Sequence, residues 1–532
     1  MASRARVVMV LTVLSLCAFL PGLASIPPID RDEARYAQAT RQMMETGDYL
    51  DIRFQDQPRY FQPAGIYWLH VAAARLTGTG VDAPIGVHRL PSLAGATLAV
   101  LLTYWVALTV AGEVAAFAAA LFMVASVLLG FEARDGKIDA VLLAAILAAM
   151  GFLARAYLRP PLTRAQAALF WVALAAGIML KGPIILLVVG LTAVTLSLLD
   201  RSAAWLRALR PWSGFALLLL LVLPWLVAIT LRSGGAFLQI ALGPNLLGKI
   251  TSGQQSHGLP PGTYLLFYWL TFWPAAALAI PAAPWIWRNR GERAVRFCLA
   301  WIVPTWIVFE LIATKLPHYV LPVYPAIATL LAMALVNGRR PDRPLARVMA
   351  AGGVIYLALG VGLQFGLERN VSLPALLVAV AGAALFGWTL HAERLSARAF
   401  AAGLATGASL LHAATFGLVI PSLESVWVVP RLVAAIHRQA SCPHPQIAAA
   451  GFHEPSLVFL AGTATKLVAA PEAADFLRAG GCRVAIVESR EEPAFLARLA
   501  TLGQHAVLRE RVTGLAIGRL RRVDLGIYTA AR

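Results

Sequence analysis

Runs of about 18 to 22 apolar residues recur along the first four-fifths of this 532-residue chain, each long enough to cross a roughly 30 Å hydrocarbon layer as one helix. In that layer every backbone donor and acceptor must find its partner within the segment, so such a run is read as a spanning helix. The runs fall near 7–25, 89–111, 114–131, 138–157, 165–180, 183–199, 213–231, 264–287, 296–313, 318–337, 346–366, 372–391 and 400–420. They predict an all-α polytopic membrane protein with about thirteen transmembrane helices. Composition agrees, since 59% of the residues are hydrophobic and 14% are charged, more apolar side chain than one soluble core can hide. The first run follows "MASRAR", but Pro27, Pro28 and a charged segment stand where a signal peptide would have its small-residue cleavage site. It is read as an uncleaved first span.

The formal charge of +18 could suggest a nucleic-acid partner. The arginines instead lie in short loops between spans, where orientation explains them and no nucleic acid is expected. With the N-terminus inside, the loops after even-numbered spans carry Arg155, Arg159 and Arg164, then Arg201, Arg207 and Arg210, then Arg288, Arg290, Arg293 and Arg296, and later Arg339, Arg340, Arg343, Arg347, Arg394 and Arg398. Loops after odd-numbered spans mix acids with bases and include two long segments, 26–88 and 232–262. A transmembrane domain over 1–420 is therefore followed by a soluble external domain over 421–532, in which "QIAAAG", "TKLVAA" and "RVAIVES" read as strands between helical stretches 455–461, 471–479 and 490–502. Cys442 and Cys482 share this oxidising side and each precedes a strand. A disulfide between them is expected, the alternative being two buried thiols.

The first external segment opens with "DRDEARYAQATRQMMETGDY" (Asp30–Tyr49), in which Asp30 and Glu33 have the spacing of a capping box and Gly47 stops the helix. "GIYWLHVAAARL" (Gly65–Leu76) is too short to span and is expected along the interface, with Tyr67 and Trp68 at headgroup depth. Five polar sites follow spans one, three, five, seven and nine: Asp32 with Arg35, "RDGKID" (Arg134–Asp139), Lys181 in "LKGP", "GKITSGQQSH" (Gly248–His257), and "TKLPHY" (Thr314–Tyr319). Taken singly, each has a plain explanation as a surface ion pair, a helix cap, a snorkelling lysine, a loop histidine or an interfacial anchor. All five reaching one membrane face points instead to a single cavity of acids, cations and aromatics. A lipid-linked phosphate suits it: Arg and Lys neutralise the phosphate, aromatic rings line the path of the lipid or sugar, and Asp serves as base.

The motifs "DEARYAQATRQMMETGDY", "FQDQP" before "PAGIYWL", "HRLPSLAGA", "LKGP" and "KLPHYVLPVYP" resemble the bacterial polyprenyl-phosphate glycosyltransferases, the family of the lipid A aminoarabinose transferase and a relative of the protein O-mannosyltransferases. The resemblance implies the GT-C membrane glycosyltransferase fold with a small periplasmic α/β C-terminal domain. It also implies inverting transfer of a sugar from a polyprenyl (undecaprenyl) monophosphate to a lipid A-like, glycan or protein acceptor at the periplasmic face of the inner membrane. By position, Asp32 and Asp139 correspond to the acidic pair, with Asp32 the candidate base. Arg35, Lys181 and Tyr319 correspond to donor-phosphate contacts, Lys315 and His318 adjoin them, and Tyr60 joins the substrate-binding set. His257 resembles a position that can hold a divalent metal in the aminoarabinose branch. "RYFQPAG" offers Gln62 where that branch has glutamate, and no lysine follows; an amide is a poor zinc ligand, so no metal is required. The rival class is a transporter or lipid flippase, which inverted repeats would favour; none is visible.

Overall fold

The computed structural model describes residues 4–531 except 242, 244–247, 249–257, 517 and 519–520. Every predicted run coincides with helix. Among the described residues nine helices are long and apolar enough to cross a membrane, or ten if the pair Thr263–Thr271 and Ala275–Arg288, bent by 113°, is counted as one span. The other three runs give shorter helices: Arg4–Phe19, Gly112–Ala125 continued by Val127–Glu132, and Ile184–Leu199. The break after Ala125 has a local cause. Ser126 is extended, and its hydroxyl accepts from the Leu129 N–H to start the second helix, which ends with Glu132 buried.

The bundle centres on Leu90–Val110, Gly112–Ala125, Asp139–Leu158 and Tyr324–Val336. Alanines dominate these faces and are almost wholly buried; small residues let helices approach closely where no hydrophobic effect drives them together.

The small sheet domain at the C-terminus has five strands in the order Lys466–Val468, Gln446–Ala450, Arg483–Glu488, Arg521–Ala530 and Ala506–Ala516. The first three are parallel and alternate with the expected helices; the last two form an antiparallel pair that closes the edge. A disulfide joins Cys442 to Cys482 with Cα atoms 6.2 Å apart. The domain sits on the helix Asp32–Thr46 and the turn that follows it. Gln38 Nε2 donates to Thr463 Oγ1 at 2.7 Å, Arg41 Nη1 to the Phe459 carbonyl at 3.0 Å, and Gln55 Nε2 to the Thr463 carbonyl at 3.0 Å.

Two local expectations are corrected. Helix Asp32–Thr46 has no capping box: Arg31, at φ 74°, occupies the cap position without a side-chain cap, and Asp30 instead accepts from the Ser456 N–H at 3.1 Å. Glu33 faces inward and takes other donors. Tyr67 is not presented to the headgroups but fully buried in the protein, while its neighbour Trp68 is exposed. The short helix lies on the protein with Ile66, Tyr67 and His70 inward and Trp68 and Leu69 outward.

Candidate active site

The ends of several spans converge on one ionic cluster. Asp139 occupies the first turn of Asp139–Leu158, and Lys181 the last turn of Arg164–Lys181; Lys181 Nζ donates to Asp139 Oδ1 at 2.5 Å. His318 opens the span Pro317–Val336 and lies between two carboxylates, with Nε2 3.7 Å from Asp139 Oδ2 and Nδ1 3.6 Å from Glu132 Oε1. The Tyr319 ring packs against His318 and lies 5.4 Å from Lys181 Nζ. Lys137 pairs with Asp135 at 2.7 Å. Burial pushes the Lys137 pKa down, but Asp135, Glu132 and Asp139 outweigh it and hold the ammonium well above its ordinary value.

Asp32 faces this cluster from the start of Asp32–Thr46, its side chain 59% exposed and so reachable by a substrate. Arg35 Nη1 lies 3.9 Å and Arg59 Nη2 4.0 Å from its Oδ1. Burial raises the Asp32 pKa, yet the charges of Arg59, Lys137 and Arg35 prevail and keep it below the ordinary aspartate value. Arg59 is itself built in: its guanidinium lies 4.8 Å from the Tyr36 ring centroid, and its Nε donates to the Tyr67 hydroxyl at 3.1 Å.

Beneath Asp32 lies a saturated charge pair. Glu33 accepts from Arg89 Nε at 2.7 Å, Arg89 Nη2 at 2.8 Å, Gly136 N at 2.7 Å and Ile29 N at 2.8 Å. Arg89 directs its remaining donors at the carbonyls of Leu23, Ile26 and Pro27. Five N–H groups and four carboxylate lone-pair sites are thus all matched. The pair fixes the helix of Asp32 to the loop of Lys137. Lys181 is fixed by close packing: a Cβ on Gly65 would lie 2.5 Å from the Met179 carbonyl, so only glycine lets the interfacial helix press on the turn that carries the lysine.

Asp32, Arg35, Asp139, Lys181, His318 and Tyr319 are therefore brought together. Lys315 is buried nearby with its ammonium on the carbonyls of Glu310 and Ile312 at 2.8 and 2.6 Å, where it caps the helix Arg293–Leu311. Tyr60 donates to Asp51 at 2.6 Å and packs on Phe237. His257 lies outside the described residues. Arg134, within "RDGKID", is held by the carbonyls of Pro21, Gly130 and Ala18. Sequence reasoning passed over Glu132, Lys137 and Arg59. Lys137 stood inside a quoted motif, and the signal for Arg59 was the absent lysine after Gln62, whose positive charge an arginine three positions earlier can supply.

Among the described residues, Glu132, Asp139 and His318 could offer a cation one donor each, all within 4.8 Å of one another. The surroundings do not fit one. Lys181 already occupies Asp139 Oδ1, and the Lys137 ammonium adds a second positive charge against the same carboxylates. Gln62 Oε1 accepts from the Tyr36 hydroxyl.

The family model for dolichyl-phosphate-mannose-protein mannosyltransferases matches residues 9–234. An undecaprenyl phosphate-alpha-4-amino-4-deoxy-L-arabinose arabinosyl transferase of Erwinia tasmaniensis is 26% identical over 334 residues, covering 62% of this chain and 59% of that protein. The enzyme of the same name from Aeromonas salmonicida is 27% identical over 403 residues, covering 71% and 73%. The chain thus spans about 60% of the length of the first of these curated relatives. The crystal structure of ArnT from Cupriavidus metallidurans bound to undecaprenyl phosphate superposes with a TM-score of 0.80 at 19% identity, covering 99% of this chain and 98% of that one. The oligosaccharyltransferase AglB from Archaeoglobus fulgidus gives 0.53 at 12% identity, covering 93% and 70%. The chain has the fold of these membrane glycosyltransferases, and the resemblance read from its motifs holds.

Proposed function

We propose that the protein is an inverting glycosyltransferase that moves a sugar from undecaprenyl monophosphate, or a similar polyprenyl monophosphate, to a lipid A-like, glycan or protein acceptor at the outer face of the bacterial inner membrane. One observation carries this reading: a reachable aspartate, Asp32, stands among Arg35, Arg59 and Lys137 opposite the Asp139–Lys181 pair, at one end of the spans. Cations of this density beside the headgroup layer suit a phosphate monoester or diester. The relatives and fold matches named above are transferases, which favours this reading over a transporter or flippase.

In the mechanism we infer, the acceptor hydroxyl gives its proton to Asp32 and attacks the anomeric carbon from the face opposite the leaving polyprenyl phosphate. The charge developing on that phosphate is met by Lys181, Arg35 and the Tyr319 hydroxyl. Asp139 holds Lys181 on its helix end and His318 between two acids. A carboxylate kept below its ordinary value is a weak base. The donor remedies this, because its phosphate brings negative charge among the same cations and raises the proton affinity of Asp32 in the loaded site. Should the acceptor be a phosphate, it arrives ionised, and Asp32 steadies the oxocarbenium-like sugar instead. Lys315 serves as a helix cap, with Arg59 and Lys137 supplying the positive charge at the phosphate in its place. No step requires a metal. Residues 421–532 act as an external module seated on the catalytic helix.

The test uses membranes supplied with undecaprenyl-phosphate-linked radiolabelled sugar and an endogenous or added acceptor. Asp32→Asn and Lys181→Gln each lower transfer about a hundredfold or more, the usual loss on removing one charge-stabilising group. Near-normal transfer by either variant defeats the assignment.

A further inference from the structure

The opposite membrane face carries a second built site. Sixteen residues separate Asp139 from Arg155 on one helix, so the two lie about 24 Å apart at 1.5 Å per residue. There the ends of Arg4–Phe19, Leu90–Val110 and Asp139–Leu158 enclose a cavity of about 450 Å³. Arg4, Arg155 and Arg159 line it, and no acid does among the described residues. Among the described residues none of the three has an ion-pair partner, whereas Arg296 and Arg343 on the same face are matched by Asp200 and Glu393 at 2.6 and 2.9 Å.

Chance clustering in a loop rich in arginine would not shape the wall as well. The Arg155 guanidinium lies 3.7 Å over the Trp105 ring, and its Nη1 donates to the Gly151 carbonyl at 3.1 Å. Gly151 makes room for that ring: a Cβ there would sit 1.8 Å from Trp105. The stack pins one guanidinium at the cavity wall with donors left over. Val8, Leu101 and Leu108 add apolar side chains to the lining, and Leu101, nine residues before the end of its helix, is the deepest of them. A smaller cavity of about 210 Å³ shares Arg4 and Tyr104 and adds Arg6, Arg398 and one acid, Glu113.

We propose that this cavity binds the headgroup of an anionic membrane phospholipid, with its phosphodiester between Arg155, Arg159 and Arg4 and one acyl chain along Val8, Leu101 and Leu108. Guanidinium groups bind phosphate oxygens in paired hydrogen bonds, and basic pockets between spans on the positively charged face are sites of this type. A free anion leaves the apolar wall uncovered. A zwitterionic lipid brings its own ammonium into the arginine cluster.

The full-length protein is reconstituted into vesicles of phosphatidylcholine alone or with phosphatidylglycerol, extracted, and examined by native mass spectrometry for retained lipid. Phosphatidylglycerol is retained in preference, and a photoactivatable acyl chain on it crosslinks near Val8 and Leu101. The double variant Arg155→Gln/Arg159→Gln lowers retention about thirtyfold, or about 2 kcal/mol at about 1 kcal/mol per arginine. Arg290→Gln, which removes an arginine stacked on Trp287 of the same face, leaves it unchanged. Equal loss in Arg290→Gln, equal retention of phosphatidylcholine, or crosslinks elsewhere each overturn the proposal. Displacement of the lipid by millimolar inorganic phosphate at constant ionic strength overturns the lipid as occupant. The crosslinking needs no variant, so the proposal stays testable even if the substituted protein does not fold.

Discussion

Replacing Glu33 with glutamine keeps the volume of the side chain and removes its charge, at a position with 1% of its side chain exposed. All four of its partners are donors: Oε1 receives Arg89 Nε and Gly136 N, and Oε2 receives Arg89 Nη2 and Ile29 N. Whichever oxygen becomes NH2, two donors lose their acceptor and the buried Arg89 guanidinium loses its counter-charge. Orphaned buried groups cost about 1–3 kcal/mol each, and breaking a buried pair from one side costs about 3–5 kcal/mol, so Glu33→Gln is expected to cost about 3–5 kcal/mol. The assay is reversible unfolding in mixed micelles, titrated with sodium dodecyl sulfate and followed by tryptophan fluorescence. Arg89→Met and the double variant complete a cycle. Arg89→Met also strands the carbonyls of Leu23, Ile26 and Pro27, so it is the costlier single change. The double variant falls short of the sum of the singles by about 1–3 kcal/mol, the coupling expected of groups in one network. A cost below about 1 kcal/mol for Glu33→Gln, or additive costs in the cycle, would refute the view that this pair holds Asp32 and Lys137 in register.

Other expectations follow from the same geometry. Removing the Arg59 charge with Arg59→Gln lets the Asp32 pKa rise, so the acid limb of kcat/KM for transfer moves to higher pH; an unmoved limb rules out its electrostatic role. Burial lifts the Asp30 carboxyl from 3.8 to about 6 where the C-terminal domain docks. The docked form therefore binds the proton more tightly, and docking is firmest below about pH 4 and weakens as pH rises through about 6. Hydrogen exchange at 455–465, corrected for intrinsic rates, should be slower at about pH 5 than at about pH 7.5, and Asp30→Asn should abolish the difference. Cys442→Ser opens a 40-residue loop and should destabilise the small domain by about 2–5 kcal/mol, read as faster proteolysis of that domain alone. Gly65→Ala drives a methyl into the Met179 carbonyl and should cost about 1–3 kcal/mol as overpacking, with transfer falling because Lys181 moves. A variant as active and stable as the parent would show that the helices have slack there.

The spans were legible because each needs about twenty apolar residues in a row, a signal that survives without any knowledge of packing. The bends were not: Thr263–Arg288 reads as one run in hydropathy, which averages over composition and is blind to a 113° turn. Asp32, Arg35, Asp139, Lys181, His318 and Tyr319 could be grouped because helix parity sorts charges by membrane face. Parity says nothing about which way a side chain points, so Lys315 was grouped with them although its ammonium caps Arg293–Leu311. The same blindness put Tyr67 in the headgroups when it holds Arg59. Glu33 was read as a cap because local spacing is visible, while its partner Arg89 lies 56 residues away and only tertiary structure brings them together. The last two strands escaped for a further reason. In Ala506–Ala516 the charged residues Arg509, Glu510 and Arg511 interrupt the alternation, and the pairing carries a bulge between Leu508 and Glu510, so the period of two that marks a strand is broken.

The seat of the C-terminal domain on Asp32–Thr46 means that modularity stops short of the last span. One wall of the candidate site is also the foundation of the C-terminal domain, so a chain truncated at 420 would strand the amide of Gln38 and the guanidinium of Arg41 on the helix that bears Asp32, and the amide of Gln55 in the turn beyond it. Grafting a relative's outer domain onto this bundle therefore amounts to rebuilding that wall as well, and chimeras should tolerate a junction only when residues 455–465 and the outward side of that helix travel together.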